Sequence, residues 1–178
     1  VHADALFISP VVGIKKKGDF TGSAITSTYQ VMLEHGYYKP FGALLGTFQA
    51  YSRYCGPREA VFTALCRKNY GCSHFIVGRD HTGFGDFYGP DACRRLFDRM
   101  GDLGITPIFT DVAYFCTACG TTVTSCSHKL EQQLVLSGTA VRDYLIHSGN
   151  IPPYLMREDV QAVLCSMLTK DRERVFEI

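Results

Sequence analysis

Gly78-Arg79-Asp80-His81 follows the apolar run His74-Phe75-Ile76-Val77 and precedes a helical pattern marked by Leu96, Phe97 and Met100. In open parallel sheets, ligands are met beyond the carboxyl ends of the strands, where loops and helix starts converge. Gly78, Gly83 and Gly85 let backbone amides approach a ligand closely, while Arg79 and His81 add donors suited to phosphate. Asp80 suits three tasks: holding Arg79, binding a ribose or capping the turn. The competing reading is an ordinary polar surface turn, and the position at a strand end favours function over it.

A second constellation lies further on. Cys116-Thr117-Ala118-Cys119 is a C-x2-C knuckle, and Cys126-Ser127-His128 follows after six residues. A lone C-x2-C is equally a redox pair, but a third Cys and a His at short range favour a metal. Cys116, Cys119, Cys126 and His128 make a filled tetrahedral Zn2+ set, hence a structural ion rather than a catalytic one. C-x-H is a tight spacing, and the fourth ligand is open to other candidates.

Weaker candidates remain. Ser137-Gly138-Thr139 with Arg142 can bind phosphate at a helix N-terminus, or be a plain N-cap followed by a solvated Arg. Arg53 and Arg58 flank Gly56-Pro57 at another strand end, facing an anion or merely organising the turn. Lys15-Lys16-Lys17 reads as a solvated loop, and His2, His35, His74 and His147 form no constellation.

The elements that must hold these groups read as α/β. Apolar runs at Ala5 to Ser9, Ala43 to Phe48, His74 to Val77 and Ile105 to Phe109 alternate with helical patterns, the signature of βαβ units and a parallel sheet. Ile25, Tyr29, Met32 and Leu33 give the first helix its stripe, and Gly36 is placed to end it. Pro57 suits a first helical position and Glu59 the positive end of that helix, whose expected buried face is Val61, Phe62, Leu65 and Cys66. Two further helical patterns follow the Cys cluster. One is capped by Ser137 and buries Val141, Tyr144 and Leu145; the other buries Val160, Val163, Leu164, Met167 and Leu168.

The 178 residues are enough to bury a core, and a net charge of +1 with a fifth of residues charged argues against a nucleic-acid binder. No apolar run approaches the ~18–20 residues that span a bilayer, so no membrane partner is expected. Among eight cysteines, Cys66, Cys93 and Cys165 fall in helical patterns and Cys55 and Cys72 flank one, which fits a reducing, cytoplasmic setting better than a disulfide framework.

Ile76-Val77-Gly78-Arg79-Asp80-His81-Thr82-Gly83 resembles the nucleotide loop of the ATP sulfurylases, which have Ala where this chain has Thr82. Arg53-Tyr54-Cys55-Gly56-Pro57-Arg58-Glu59-Ala60 is similar to that family's Arg-Tyr-Ala-Gly-Pro-Arg-Glu-Ala. Pro10-Val11-Val12-Gly13 with Lys15, Gly18-Asp19, Ser137 to Arg142, and Ile151-Pro152-Pro153 follow in the family's order. The resemblance implies an enzyme that joins ATP and sulfate to give adenosine 5′-phosphosulfate and pyrophosphate, reversibly, with Mg2+ on the nucleotide. It implies a Rossmann-like parallel sheet of the nucleotidylyltransferase type, with a small zinc-knuckle insert and a C-terminal helical segment. The corresponding parts are 1–112, 113–130 and 131–178. By resemblance Gly78, Arg79, Asp80 and His81 contact ATP, with Arg79 and His81 the catalytic side chains. Ala113 packs near adenine; Ser137, Gly138, Thr139 and Arg142 hold phosphate; and the Thr82 amide helps hold sulfate. A homo-oligomer is expected of the intact enzyme. Some bacterial and archaeal members carry a similar zinc-binding insert at the same place. A nucleotidylyltransferase for another acceptor and a non-catalytic remnant are the alternatives.

The chain begins without Met on an apolar run, and the family's Gln-x-Arg-Asn motif has no match in these residues. It therefore reads as a fragment lacking the first strand of the sheet, with two strand pairs left across a gap of unpaired backbone groups. The purified chain is expected to be poorly stable and to release no pyrophosphate from ATP and sulfate above background. A coupled pyrophosphate assay checks this, and turnover well above the blank refutes it.

Overall fold

The computed structural model describes residues 3–39, 42–78, 81, 83, 85, 87–147 and 150–177. In chain order the elements are β1 (Leu6–Ile8), α1 (Gly22–Glu34), β2 (Ala43–Leu45), α2 (Pro57–Asn69), β3 (His74–Val77), α3 (Ala92–Met100) and β4 (Thr106–Phe109). Then come β5 (Tyr114–Cys116), β6 (Thr121–Val123), β7 (Gln133–Val135), α4 (Gly138–His147) and α5 (Glu158–Lys170). Among the described residues no helix is long and apolar enough to cross a membrane.

The fold is α/β with small parallel sheets. β1 pairs with β2, Leu6 opposite Ala43, and β3 with β4, His74 opposite Thr106; both pairs are parallel. Among the described residues they form two two-stranded sheets. β2 is shorter than the expected Ala43 to Phe48; beyond Leu45 the Gly46 amide still donates to the Ile8 carbonyl at 2.9 Å, and the pairing ends in the isolated Val11–Phe48 bridge. Contact density divides the residues into two compact units, Val1–Ser52 with Tyr114–Ile178, and Arg53–Ala113.

In the first unit α1 and α5 pack around Ala24, Val141, Leu145, Ile151, Leu164, Val175 and Phe176. Thr21 starts α1 by two bonds at once: its Oγ1 accepts from the Ala24 amide at 3.1 Å and donates to the Arg174 carbonyl at 2.6 Å. Phe20 stacks on Phe176, ring centroids 5.2 Å apart. Gly13 is required by space, since a Cβ there would lie 2.0 Å from the Ala50 carbonyl oxygen. Tyr144, expected on the buried face of α4, is partly exposed, and the burial falls to Val141 and Leu145.

The polar segment after β4 folds as a three-stranded antiparallel sheet, ordered β6-β5-β7. Sequence reading missed these strands, because each is three residues long and β6 is Thr121-Thr122-Val123.

In the second unit the core is Ala60, Val61, Ala64, Val77, Cys93, Phe97 and Ile105. Pro57 opens α2 as expected. Val61 is buried and Leu65 packs on the core as expected, but Phe62 is 45% exposed while Ala60 and Ala64 are fully buried. Small residues face the core because they allow the closest approach of backbone to backbone. On α3, Phe97 is buried and Met100 half exposed.

Asp159 joins the start of α5 to the end of α1. It accepts from the Tyr37 hydroxyl at 2.8 Å and pairs with His35 Nδ1, while Arg157 lies over the Tyr37 ring at 4.5 Å. His35 thus has a constellation that sequence reading denied it. Burial works to raise the Asp159 carboxyl, but the Tyr37 hydroxyl, the Val160 amide and His35 outweigh it and hold the group below its ordinary value. A depressed folded-state value stabilises above the unfolded aspartate range, near ~3.9, and the stabilisation is lost as pH falls through the folded value. Asp159→Asn is expected to lower the melting temperature at pH 6 and to melt like the parent in strong acid. Melting curves from pH 2 to 7 test this, and a pH-independent difference refutes it.

Candidate functional site

The parallel pair β3–β4 ends at Val77 and Phe109, and the Thr110 amide continues the ladder by donating to the Val77 carbonyl at 3.2 Å. Just beyond these ends is a cavity of about 170 Å³, lined by Val77, Gly78, Pro90, Asp91, Cys93, Arg94 and 109–112. Its floor is the last turn of two strands and its wall the first turn of α3. That volume is below the ~300–1,000 Å³ of sites enclosing a whole drug-sized ligand, so it suits part of a nucleotide.

Gly78 lies on this cavity, where sequence reading put the nucleotide loop. Among the described residues other than its chain neighbours, no atom comes within 4 Å of a Cβ built at Gly78. The His81 ring stands edge-on to Phe75, centroids 5.4 Å apart. Arg79, Asp80 and Thr82 lie outside the described residues. Ala113, half-buried, follows directly on Val112 of the cavity lining.

Sequence reading missed Arg94. Its guanidinium lies over the Phe109 ring at 4.4 Å, and Phe109 meets Phe97 edge to face at 5.8 Å. The stack holds a cation on the wall of the cavity, which Asp91 and Asp111 also line. The available signal was an Arg in the first turns of a helix following a strand-end loop.

Upstream of α2, Glu59 holds the turn at Arg53 to Gly56. The Glu59 carboxylate is 8% exposed and accepts from the Arg53 and Cys55 amides, each at 3.0 Å. Both Arg53 and Arg58 are exposed. Tyr54 between the two amides has φ +53°, a left-handed conformation that costs a bulky residue ~1–3 kcal/mol.

In the other unit, Ser137, Gly138, Thr139 and Arg142 are brought together at the start of α4. Ser137 caps it, accepting from the Ala140 amide at 3.3 Å. Arg142 donates to Thr139 Oγ1 at 3.2 Å, with Asp19 at 3.9 Å. Lys15 is not a solvated loop residue: its ammonium donates to the Phe20 carbonyl at 3.0 Å, and burial lowers its pKa against the opposing pull of Glu177 and Asp19.

The Cys/His cluster closes as the spacing requires. The ligand atoms of Cys116, Cys119, Cys126 and His128 all lie within 4.8 Å of one another. His128 Nδ1 is 3.5 Å from Cys116 Sγ and 3.3 Å from Cys119 Sγ, near the ~3.5–3.8 Å edge of a tetrahedron with metal–sulfur bonds of about 2.3 Å. The Cys119 amide donates to Cys116 Sγ and lowers that thiol; the Tyr114 hydroxyl, 3.3 Å from Cys126 Sγ, does the same there. Cys119, hydrogen-bonded to Cys116 and beside the other sulfurs, is pushed up to about 11. Three thiols this close resist ionising together, and a bound cation relieves that resistance.

A family model described as ATP-sulfurylase matches residues 1–167. The chain is 45% identical over 165 residues to a sulfate adenylyltransferase of Pyrococcus abyssi, covering 92% of this chain and 43% of that protein. It is 46% identical over 165 residues to a sulfate adenylyltransferase of Symbiobacterium thermophilum, covering 90% of this chain and 42% of that protein. The chain thus spans less than half the length of these curated relatives. Its fold is also shared with a hexameric APS kinase from Thiobacillus denitrificans, TM-score 0.62 at 17% identity, over 91% of this chain and 30% of that one.

Proposed function

Because the chain belongs to the ATP-sulfurylase family, we propose that its strand-end residues serve the reversible joining of ATP and sulfate to adenosine 5′-phosphosulfate and pyrophosphate. The observation that carries this reading is Gly78, the first residue of the family's loop, on the cavity at the ends of β3 and β4.

In this reading the catalytic fold is the nucleotidylyltransferase type, with 1–112 its α/β part, 113–130 a zinc knuckle and 131–178 a helical segment. The cavity takes the adenosine end of ATP beside Ala113, and Gly78, Arg79, Asp80 and His81 follow the nucleotide toward its phosphates. Ser137, Gly138, Thr139 and Arg142 offer a capped helix start and a guanidinium for phosphate oxygens. A sulfate oxygen, held with help from the Thr82 amide, attacks the α-phosphorus in line. The new S–O–P link forms as the bond to the β-phosphate breaks, and pyrophosphate leaves. No covalent enzyme intermediate is required, so catalysis is positioning of two anions and neutralisation of charge by Arg79, His81 and backbone amides. Mg2+ arriving with ATP supplies further neutralisation. The setting is cytoplasmic, and the intact protein associates with copies of itself.

Titration calorimetry of the 178-residue chain with Mg-ATP tests the site. Binding is expected, weakened about tenfold or more by Arg79→Ala, as for loss of a charged hydrogen-bond donor. Unchanged affinity in the variant refutes the assignment. Competition by molybdate or selenate in the intact enzyme separates sulfate from another acceptor.

The Cys116, Cys119, Cys126 and His128 set fits Zn2+, which would tie β5 to the loop after β6 with every position filled by protein. The purified chain is expected to carry about one zinc ion. Cys126→Ser should lose it and lower the melting temperature by many degrees, because metal binding is coupled to local folding. Elemental analysis with thermal melts checks this; a metal-free chain whose melting ignores the substitution refutes it.

A further inference from the structure

The cavity wall formed by α3 has a support that the chemistry described so far does not use. Gly56, at the start of α2, has φ +53° and ψ −118°, and the Tyr88 ring lies against it so closely that a Cβ there would come within 2.4 Å of Tyr88 Cδ2. No other residue type fits that position, on both conformational and steric grounds. Gly56 is offered to Tyr88 by the bend before it. There, left-handed Tyr54 is flanked by the two amides that the buried Glu59 carboxylate holds. A left-handed bulky residue persists only where its surroundings over-determine it. Two charge-assisted bonds to one buried carboxylate do so here.

From Tyr88 the chain has three residues, Gly89, Pro90 and Asp91, before α3 begins at Ala92, and they form a tight turn in which the Ala92 amide donates to the Gly89 carbonyl at 3.0 Å. Pro90, Asp91 and Arg94 on the cavity wall follow immediately. Fixing Tyr88 therefore fixes where the first turn of α3 stands relative to Gly78.

We propose that Glu59 is a positioning residue for the nucleotide cavity: it pins the bend that makes Gly56 a seat for Tyr88, and Tyr88 sets the first turn of α3. The inference rests on reading that cavity as the nucleotide site. Because the ring touches Gly56 through carbon atoms, Tyr88→Phe should preserve the device and Tyr88→Ala should remove it. Glu59→Gln keeps the size of the side chain but sets an amide N–H donor against one of two backbone donors, releasing the bend.

The test combines amide hydrogen exchange with Mg-ATP titration on the full 178-residue chain. Glu59→Gln and Tyr88→Ala are expected to speed exchange at residues 90–95 and weaken ATP binding about tenfold. The middle of α2, residues 60–64, should stay protected, and Tyr88→Phe should behave as the parent. A merely structural Glu59 would loosen α2 itself and leave 90–95 no more affected than the rest. The proposal is overturned if exchange at 90–95 is unchanged in both disruptive variants, or if Tyr88→Phe is as damaging as Tyr88→Ala. Should Glu59→Gln fail to fold, the two Tyr88 variants decide the matter. Should the parent chain not bind Mg-ATP, the nucleotide reading falls while the exchange measurements still judge the coupling.

Discussion

Val77, the last residue of β3, is 1% exposed, and its side chain is enclosed by a core that includes Ala60 and Ala64 of α2, Cys93 and Phe97 of α3, and Ile105. Complete burial of such a side chain is worth ~1.5–3 kcal/mol, ample to fix the strand end when neighbours are fully buried too. The loop that begins at Gly78 starts from this anchored point. Parallel strands demand it, for they need packing on their faces, and here α2 and α3 supply it on the side carrying Val77 and Phe75. A mobile strand end would leave the glycine's openness useless, since an amide helps an anion only when its position is already set.

The same logic accounts for where charge is spent. Glu59 is buried and, among the described residues, pairs with no cation; it holds two backbone amides and so makes a bend rigid. Arg94 is exposed but stacked on Phe109, which keeps its guanidinium on the cavity wall. Arg142 curls back onto Thr139 at the start of its own helix. Arg94 is restrained by an aromatic ring and Arg142 by a hydroxyl, with the Asp19 carboxylate 3.9 Å from Arg142.

Much of this was legible in the residues. Pro57 marked its helix start, His74 to Val77 marked β3, and the C-x2-C with Cys126 and His128 marked a cluster whose four ligand atoms do converge. These succeed because each depends on local chemistry: a missing amide, a run of strand formers, short-range ligand spacing. On α2 the expectation held for Val61 and Leu65 and failed at Phe62, because Phe62 and Ala64 lie on sides that periodicity cannot rank. Close packing chose alanine, and only the neighbouring strand explains the choice. The role of Glu59 was hidden because its partners lie on a bend whose shape is set by Gly56 and Tyr88, thirty-two positions apart along the chain. β5 to β7 were hidden because strands of three residues are too short to show alternation.

Those short strands bear on the division of labour. A sheet of three three-residue strands has little apolar area of its own, and so small a sheet is marginal without a cross-link. A cation held by the cluster would provide one: Cys116 ends β5, Cys119 follows in the turn to β6, and Cys126 and His128 lie in the connection to β7. With four protein ligands, a cation bound there has no position left for a substrate, so its work is to hold the turn. The sulfurs are engaged in the same way, and the amide and hydroxyl bonds to Cys116 and Cys126 stabilise thiolates that a metal would claim. In the proposed reading such an ion takes no part in the chemistry, which is left to groups that the metal does not occupy.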